Sequence, residues 1–149
     1  MATLRNNLFI DATVVKGLGR TLSVTMKQEP ENPVDTSTLE EYTAQFEPVN
    51  LTGTAVRFRV LGSATSDAEV LLEKIITEAT LPEEDGQIYN PEGGEFSFTI
   101  TAEDTDVLGV GIHPIEIVLL DGTSLQVLFH LTEGGTRPSE FNRIQIIQV

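Results

Sequence analysis

The sequence predicts an all-β fold: an antiparallel β-sandwich with one or two short helices. Three observations predict it. Apolar and polar residues alternate through several short runs, most clearly Val56-Arg57-Phe58-Arg59-Val60 and Phe96-Ser97-Phe98-Thr99-Ile100, and a period of two belongs to half-buried strands. Glycine, proline and aspartate punctuate those runs at short intervals, as in all-β domains. Helical patterning is confined to two short stretches, near 37–45 and 102–108. At 149 residues and 40% hydrophobic, the chain is long enough to bury its own core without disulfides. It reads as one domain over 1–149, with an insertion at 29–50 and a C-terminal tail and strand at 136–149.

Taken in order, the first candidate hairpin runs from Asn7 to Lys27. Leu8, Ile10, Ala12 and Val14 alternate, as do Leu22, Val24 and Met26, with Lys16-Gly17-Leu18-Gly19-Arg20 as the turn. Phe9 and Val15 give the first strand a second apolar face. The insertion is rich in glutamate and broken by Pro30, Pro33 and Pro48. Within it, Thr38 stands three residues before Glu41, a capping-box spacing, and Leu39, Tyr42 and Phe46 recur at helical intervals. Thr54–Leu61 turns Val56, Phe58 and Val60 inward and Arg57 and Arg59 outward; Ala64–Ala68 reads as a loop and Val70–Thr77 as a strand around Glu73 and Lys74. Leu81–Glu95 reads as a long acidic loop before the strand of Phe96, Phe98 and Ile100. Thr101-Ala102-Glu103-Asp104 starts a helix that drops Leu108 onto the open end of the sandwich and stops at Gly109. Ile112–Leu120 and Thr123–Thr132 flank Asp121-Gly122, a two-residue hairpin signal, and a final strand covers Phe141–Val149.

Composition excludes several classes. Nine Lys+Arg against 23 Asp+Glu give a formal net charge of −14, which disfavours nucleic acid and anionic membranes as partners. No apolar run approaches the ~18 residues of a transmembrane helix, and the N-terminus lacks the pattern of a signal peptide. The absence of cysteine excludes thiolate metal sites and fits synthesis in a reducing cytosol.

No catalytic motif stands out, and an enzyme is not expected. There is no Gly-x-Ser-x-Gly elbow and no tryptophan to line a sugar groove. A two-residue turn at Asp121-Gly122 would put His113 opposite His130. A structural pair, or none, is the reading there, because no third metal ligand is evident. The acids of 83–95 lack calcium-loop spacing, and those of 103–106 suit a helix N-terminus. Cofactors and metals are therefore not assigned. The closing hairpin is apolar on both faces, through Ile115, Ile117 and Leu119 on one and Val118, Leu125, Val127 and Phe129 on the other. Candidate partner contacts are Leu39, Tyr42 and Phe46 in the insertion and Ile144, Ile146, Ile147 and Val149 in the last strand, the other reading of that strand being an edge strand of the chain's own sheet. On this reading, deleting 141–149 abolishes assembly without unfolding the sandwich.

The motif order also resembles a known module. It runs Leu51-Thr52-Gly53-Thr54-Ala55-Val56-Arg57-Phe58, then Leu71-Leu72-Glu73-Lys74, then Asn90-Pro91-Glu92-Gly93-Gly94-Glu95-Phe96-Ser97-Phe98-Thr99-Ile100. Thr101-Ala102-Glu103-Asp104-Thr105, Leu108 through Gly111, and Ile115-Glu116-Ile117-Val118-Leu119-Leu120-Asp121-Gly122 complete it. This is similar to the immunoglobulin-like β-sandwich module of tailed-phage baseplate upper proteins and related tail proteins. The resemblance covers most of the chain and rests on order and spacing. It implies a non-enzymatic structural protein of a virion, made in the host cytoplasm, in the tail or baseplate, contacting other virion proteins and copies of itself. A head decoration, cement or neck protein is the alternative within the virion; a carbohydrate-binding or adhesive module is the alternative from another class, thinly supported by Tyr42 and Tyr89. The insertion and the final strand depart from the module. In the module's relatives a longer structural or receptor-binding region follows, so the shorter sequence here implies a stand-alone component.

Overall fold

Two sheets meet across one apolar core, because the strands that build them alternate in and out as the sequence does. The computed structural model describes residues 3–6, 11–62, 68–120, 125–132, 135–136 and 142–149. Its strands are β1 (Thr3–Asn6), β2 (Asp11–Val15), β3 (Arg20–Thr25), β4 (Lys27–Gln28), β5 (Glu47–Pro48), β6 (Ala55–Leu61), β7 (Val70–Ile76), β8 (Ile88–Asn90), β9 (Glu95–Ile100), β10 (Gly111–Leu120), β11 (Leu125–Thr132), β12 (Gly135–Thr136) and β13 (Asn142–Ile147). Helix α1 (Leu39–Thr43) lies between β4 and β5, and α2 (Ala102–Leu108) between β9 and β10.

The larger sheet is centred on β10. Strand β6 runs along one edge of it, from Ile115 opposite Val60 to Leu120 opposite Ala55, and β7 continues beyond β6. The other edge is shared: β13 takes Gly111–Ile115, and β11 takes Leu119 and Leu120. Beyond β13 lies β2, and beyond β11 lie β1, β4 and β5, with β12 also on β11. The smaller sheet is β3-β9-β8. Most pairings are antiparallel, as predicted; β1 with β11 and β2 with β13 are parallel. The core draws Val56, Phe58 and Val60 from β6, Phe96, Phe98 and Ile100 from β9, Ile115, Ile117 and Leu119 from β10, and Ile144 and Ile146 from β13. The rings of Phe58 and Phe98 stack across the two sheets at 4.6 Å.

Several expectations are corrected here. The alternation of 11–26 is right about faces, with Ala12, Val14 and Met26 buried, but β2 and β3 are not a hairpin. Strand β2 pairs with β13 and β3 pairs with β9, so the turn at 16–19 carries the chain from one sheet to the other. Gly19 takes φ +73° there, and a Cβ on it would come within 2.6 Å of the Ile100 carbonyl oxygen. The final strand is flanked by β10 and β2 and is interior to its sheet. Asp121 and Gly122 lie outside the described residues, but Leu120 stands opposite Leu125, so four residues and not two separate the paired positions.

The acidic loop contains a strand that the sequence did not announce. Ile88 of β8 is buried opposite Phe96, and 85–87 extend along β9: Thr99 N donates to Asp85 O at 3.1 Å and Ser97 N to Gln87 O at 2.8 Å. Pro82 O also accepts from Thr99 Oγ1 at 2.6 Å, and Gln87 N donates to Ser97 Oγ at 3.1 Å. Ser97 and Thr99 are therefore buried although their alternation faces outward. Helix α2 matches its predicted span. Thr101 and Asp104 form the reciprocal capping box, Gly109 ends the helix at φ +77°, and Leu108 joins the core. Helix α1 is shorter than 37–45, with Thr38 as its cap.

Candidate interaction surface

The predicted contact residues divide by environment. Ile144 and Ile146 are fully buried in the chain's own core, where β13 packs between β2 and β10. Phe46 is also buried within the chain, and its ring meets the edge of Tyr42 at 5.7 Å. Tyr42 is half-buried, and its hydroxyl donates to Glu29. Ile144, Ile146 and Phe46 are thus committed inside the fold, while Tyr42 keeps part of its surface open. Ile147 is half-buried, and Val149 is 99% exposed. The Leu39 side chain lies outside the described residues. Of the two-faced apolar hairpin, Ile115, Ile117 and Leu119 are buried in the core and Val118 is buried as well; the side chains of Leu125, Val127 and Phe129 lie outside the described residues.

Six of the ten large apolar side chains exposed among the described residues lie at one end of the sandwich, a grouping the sequence pattern does not disclose. The register defines that end. There β2 stops at Val15 beside Ile147, β3 begins at Arg20 opposite Ile100, β6 ends at Leu61 opposite Val70, and β10 begins at Gly111 opposite Ile146. Leu18, Val70, Val107, Val110, Ile112 and Val149 are all exposed there. Two backbone bonds fix the turn at 16–19 against its neighbours: Gly17 N donates to Thr105 Oγ1 at 2.8 Å and Lys16 N to Ile147 O at 2.8 Å. Each residue is a lone hydrophobe in a turn or at an element's end, so periodicity carries no signal for the group. Only the pairing of the strands brings them together.

The same end holds the exposed cations. Among the described side chains, Lys16 and Arg20 are the Lys or Arg residues classed as exposed. Arg20 lays one nitrogen back on its own chain, Nη1 donating to Thr13 O at 3.0 Å, and the other described cations are drawn further in. Arg57 Nη2 pairs with Glu116 Oε1 at 3.3 Å, and Arg59 Nε with Glu73 Oε2 at 2.5 Å. Lys74 is buried on β7, opposite Phe58, so it points between the sheets. Its Nζ reaches Asp104 Oδ2 at 2.6 Å and donates to the carbonyls of Glu84 and Thr99 at 2.5 and 2.6 Å.

These polar groups find most of their partners within the chain, with Arg57 Nε buried and unpaired. Asp104 serves both the α2 cap, accepting from Thr101 N at 2.9 Å, and Lys74. Among the described residues no three His, Asp or Glu side chains converge as metal ligands. The two histidines do not face each other: His113 is opposite Ile144, with its Nε2 3.0 Å from Gly109 O, and His130 is opposite Asn6. Among the described residues no helix is long and apolar enough to cross a membrane. No protein-family model matches the sequence, and no curated protein matches it.

Proposed function

We propose that this chain is a non-enzymatic structural protein of a tailed-phage virion, acting in the tail or baseplate through contacts between subunits. The observation that carries the reading is the order of its elements. Strands β6, β7 and β9, helix α2 and strand β10 follow one another at the positions of the motifs that resemble the phage module. The pairing order β2-β13-β10-β6-β7 opposite β3-β9-β8 supports the immunoglobulin-like part of that reading. The surface supports a mechanical role. Its ion pairs are made within the chain, and the end of the sandwich beside α2 offers apolar side chains to a neighbour.

Mass spectrometry of purified particles tests the proposal, with immunogold microscopy to locate the protein. Copies in fixed stoichiometry, labelled at the tail tip, are expected. Labelling over the head would move the reading to a decoration or neck protein. Absence from particles, with a monomer that binds glycans, would replace it with the adhesive module.

A further inference from the structure

We infer that two copies of this chain associate head to tail, the turn at 16–20 of one docking on the Val34 region of the other's insertion. The inference deepens the proposed function, since it names the contact by which a building block meets its own kind. The donor side is the projecting turn Lys16-Gly17-Leu18-Gly19-Arg20. Leu18 is 76% exposed, with an exposed cation on either side. The turn is not a loose tip, because its backbone is tied to α2 through Gly17 and to β13 through Lys16. A rigid apolar side chain between two cations is a shape that binds an apolar site with an acidic rim.

The other half of the contact is an exposed apolar residue with acids beside it in sequence, on the insertion that departs from the opposite end of β3. Strand β3 runs away from the turn to Thr25, opposite Glu95, and the insertion departs from there. In the insertion Val34 is 68% exposed, and its main chain is clamped on both sides by one amide: Val34 N donates to Gln45 Oε1 at 2.8 Å and Gln45 Nε2 to Val34 O at 2.7 Å. Glu31, Asp35, Glu40 and Glu41 are exposed around it in sequence. Each side therefore presents a held apolar residue, one flanked by cations and one by acids.

Charge selects a head-to-tail contact over a symmetric one. The chain is −14 overall, so like surfaces repel. Helix α2 carries exposed Glu103 and Asp106 near the turn, so the cationic character belongs to the turn at 16–20 and not to the whole end. A two-fold contact would set cations against cations at Lys16 and Arg20. A heterologous contact sets them against the acids of the insertion and leaves a free end of each kind, which propagates into a ring or a chain.

Sedimentation of the purified full chain tests this, since the contact needs no other virion protein. At about 0.1 mM, masses above the monomer are expected. Lys16→Gln with Arg20→Gln, which removes the two cations beside Leu18, is expected to abolish them, and association unchanged by that pair of substitutions would overturn the inference. Leu18→Ser, in an exposed turn, weakens association by roughly tenfold or more, and Val34→Lys abolishes it. Mixed one to one, the two variants recover association, since each still carries one intact side. No recovery points to a symmetric contact and refutes the head-to-tail arrangement. A wild-type chain that stays monomeric also refutes it. The presence or absence of the protein in particles decides the building-block reading separately.

Discussion

Lys74 occupies an inward position of β7 where alternation asks for an apolar side chain. Its neighbours on that face are Ile76 in the same strand and Phe58 across the ladder. The position tolerates a charge because the ammonium reaches past the core to three oxygens on three different segments: the loop at 84, the end of β9 and the first turn of α2. All three donors of an ammonium are then used. Breaking such a buried pair leaves an uncompensated charge, so Lys74→Ala should destabilise the fold by about 3–5 kcal/mol. Denaturant midpoints with unchanged slope would measure it. The double variant Lys74→Met with Asp104→Asn should recover part of the loss, since no charge is then stranded. A cost for Lys74→Ala no larger than that of an exposed alanine substitution would show that the bridge does not form in solution. The residue pattern discloses the strand but not this pairing, because the three oxygens come from segments that only the tertiary fold brings together.

At the scale of elements, legibility follows how local the cause is. The capping box of α2 lies within four consecutive residues, and its helix is predicted to the residue. Thr101→Ala should cost about 1 kcal/mol, read from the unfolding midpoint, through the loss of the Asp104 N–H partner. Strand β6 is equally legible, because its two faces alternate without exception. Strand β8 is not, because it is three residues long, only Ile88 and Asn90 have partners in the register, and Ile88 alone signals burial. Pairing partners are the least legible of all. The alternation of β2 names its buried face but cannot name β13, which stands more than a hundred residues away. This reverses the expectation for the last strand. Deleting 142–149 strips the partner from β2 and from the first half of β10 and removes Ile144 and Ile146 from the core, so cooperative unfolding should disappear. Calorimetry of the truncated chain would show a broad transition or none. Ile144→Ala, a milder change, should cost about 2–5 kcal/mol.

The whole molecule is governed by its charge. A net −14 on 149 residues repels itself in the folded state more than in the expanded one. In dilute solution, where no association competes, the melting temperature should therefore rise with added NaCl, steeply at first and then levelling as the Debye length shrinks. A melting temperature independent of salt would mean that ion pairs such as Arg57–Glu116 and Arg59–Glu73 lose as much by screening as the acids gain. Overall charge was readable directly from the residues. The candidate surface was not: its apolar residues are scattered between 18 and 149 and share an end only because the register aligns their strands. The sequence-based contacts failed where apolar residues proved to be core, as Ile144 and Ile146 did, since hydrophobicity alone does not distinguish an interface from an interior.

The parallel pairing of β2 with β13 also bears on how the protein is made. A ribosome releases β2 early, and its partner β13 emerges more than a hundred residues later. Through that interval Ala12 and Val14 have no strand to lie beside, and β10 lacks a neighbour over Gly111–Ile115. The pairings of β2 and of Gly111–Ile115 with β13 can form only once Asn142–Ile147 has been made. Nascent chains halted short of Asn142 should be protease-sensitive and chaperone-bound, and resistance should appear once β13 is available to pair.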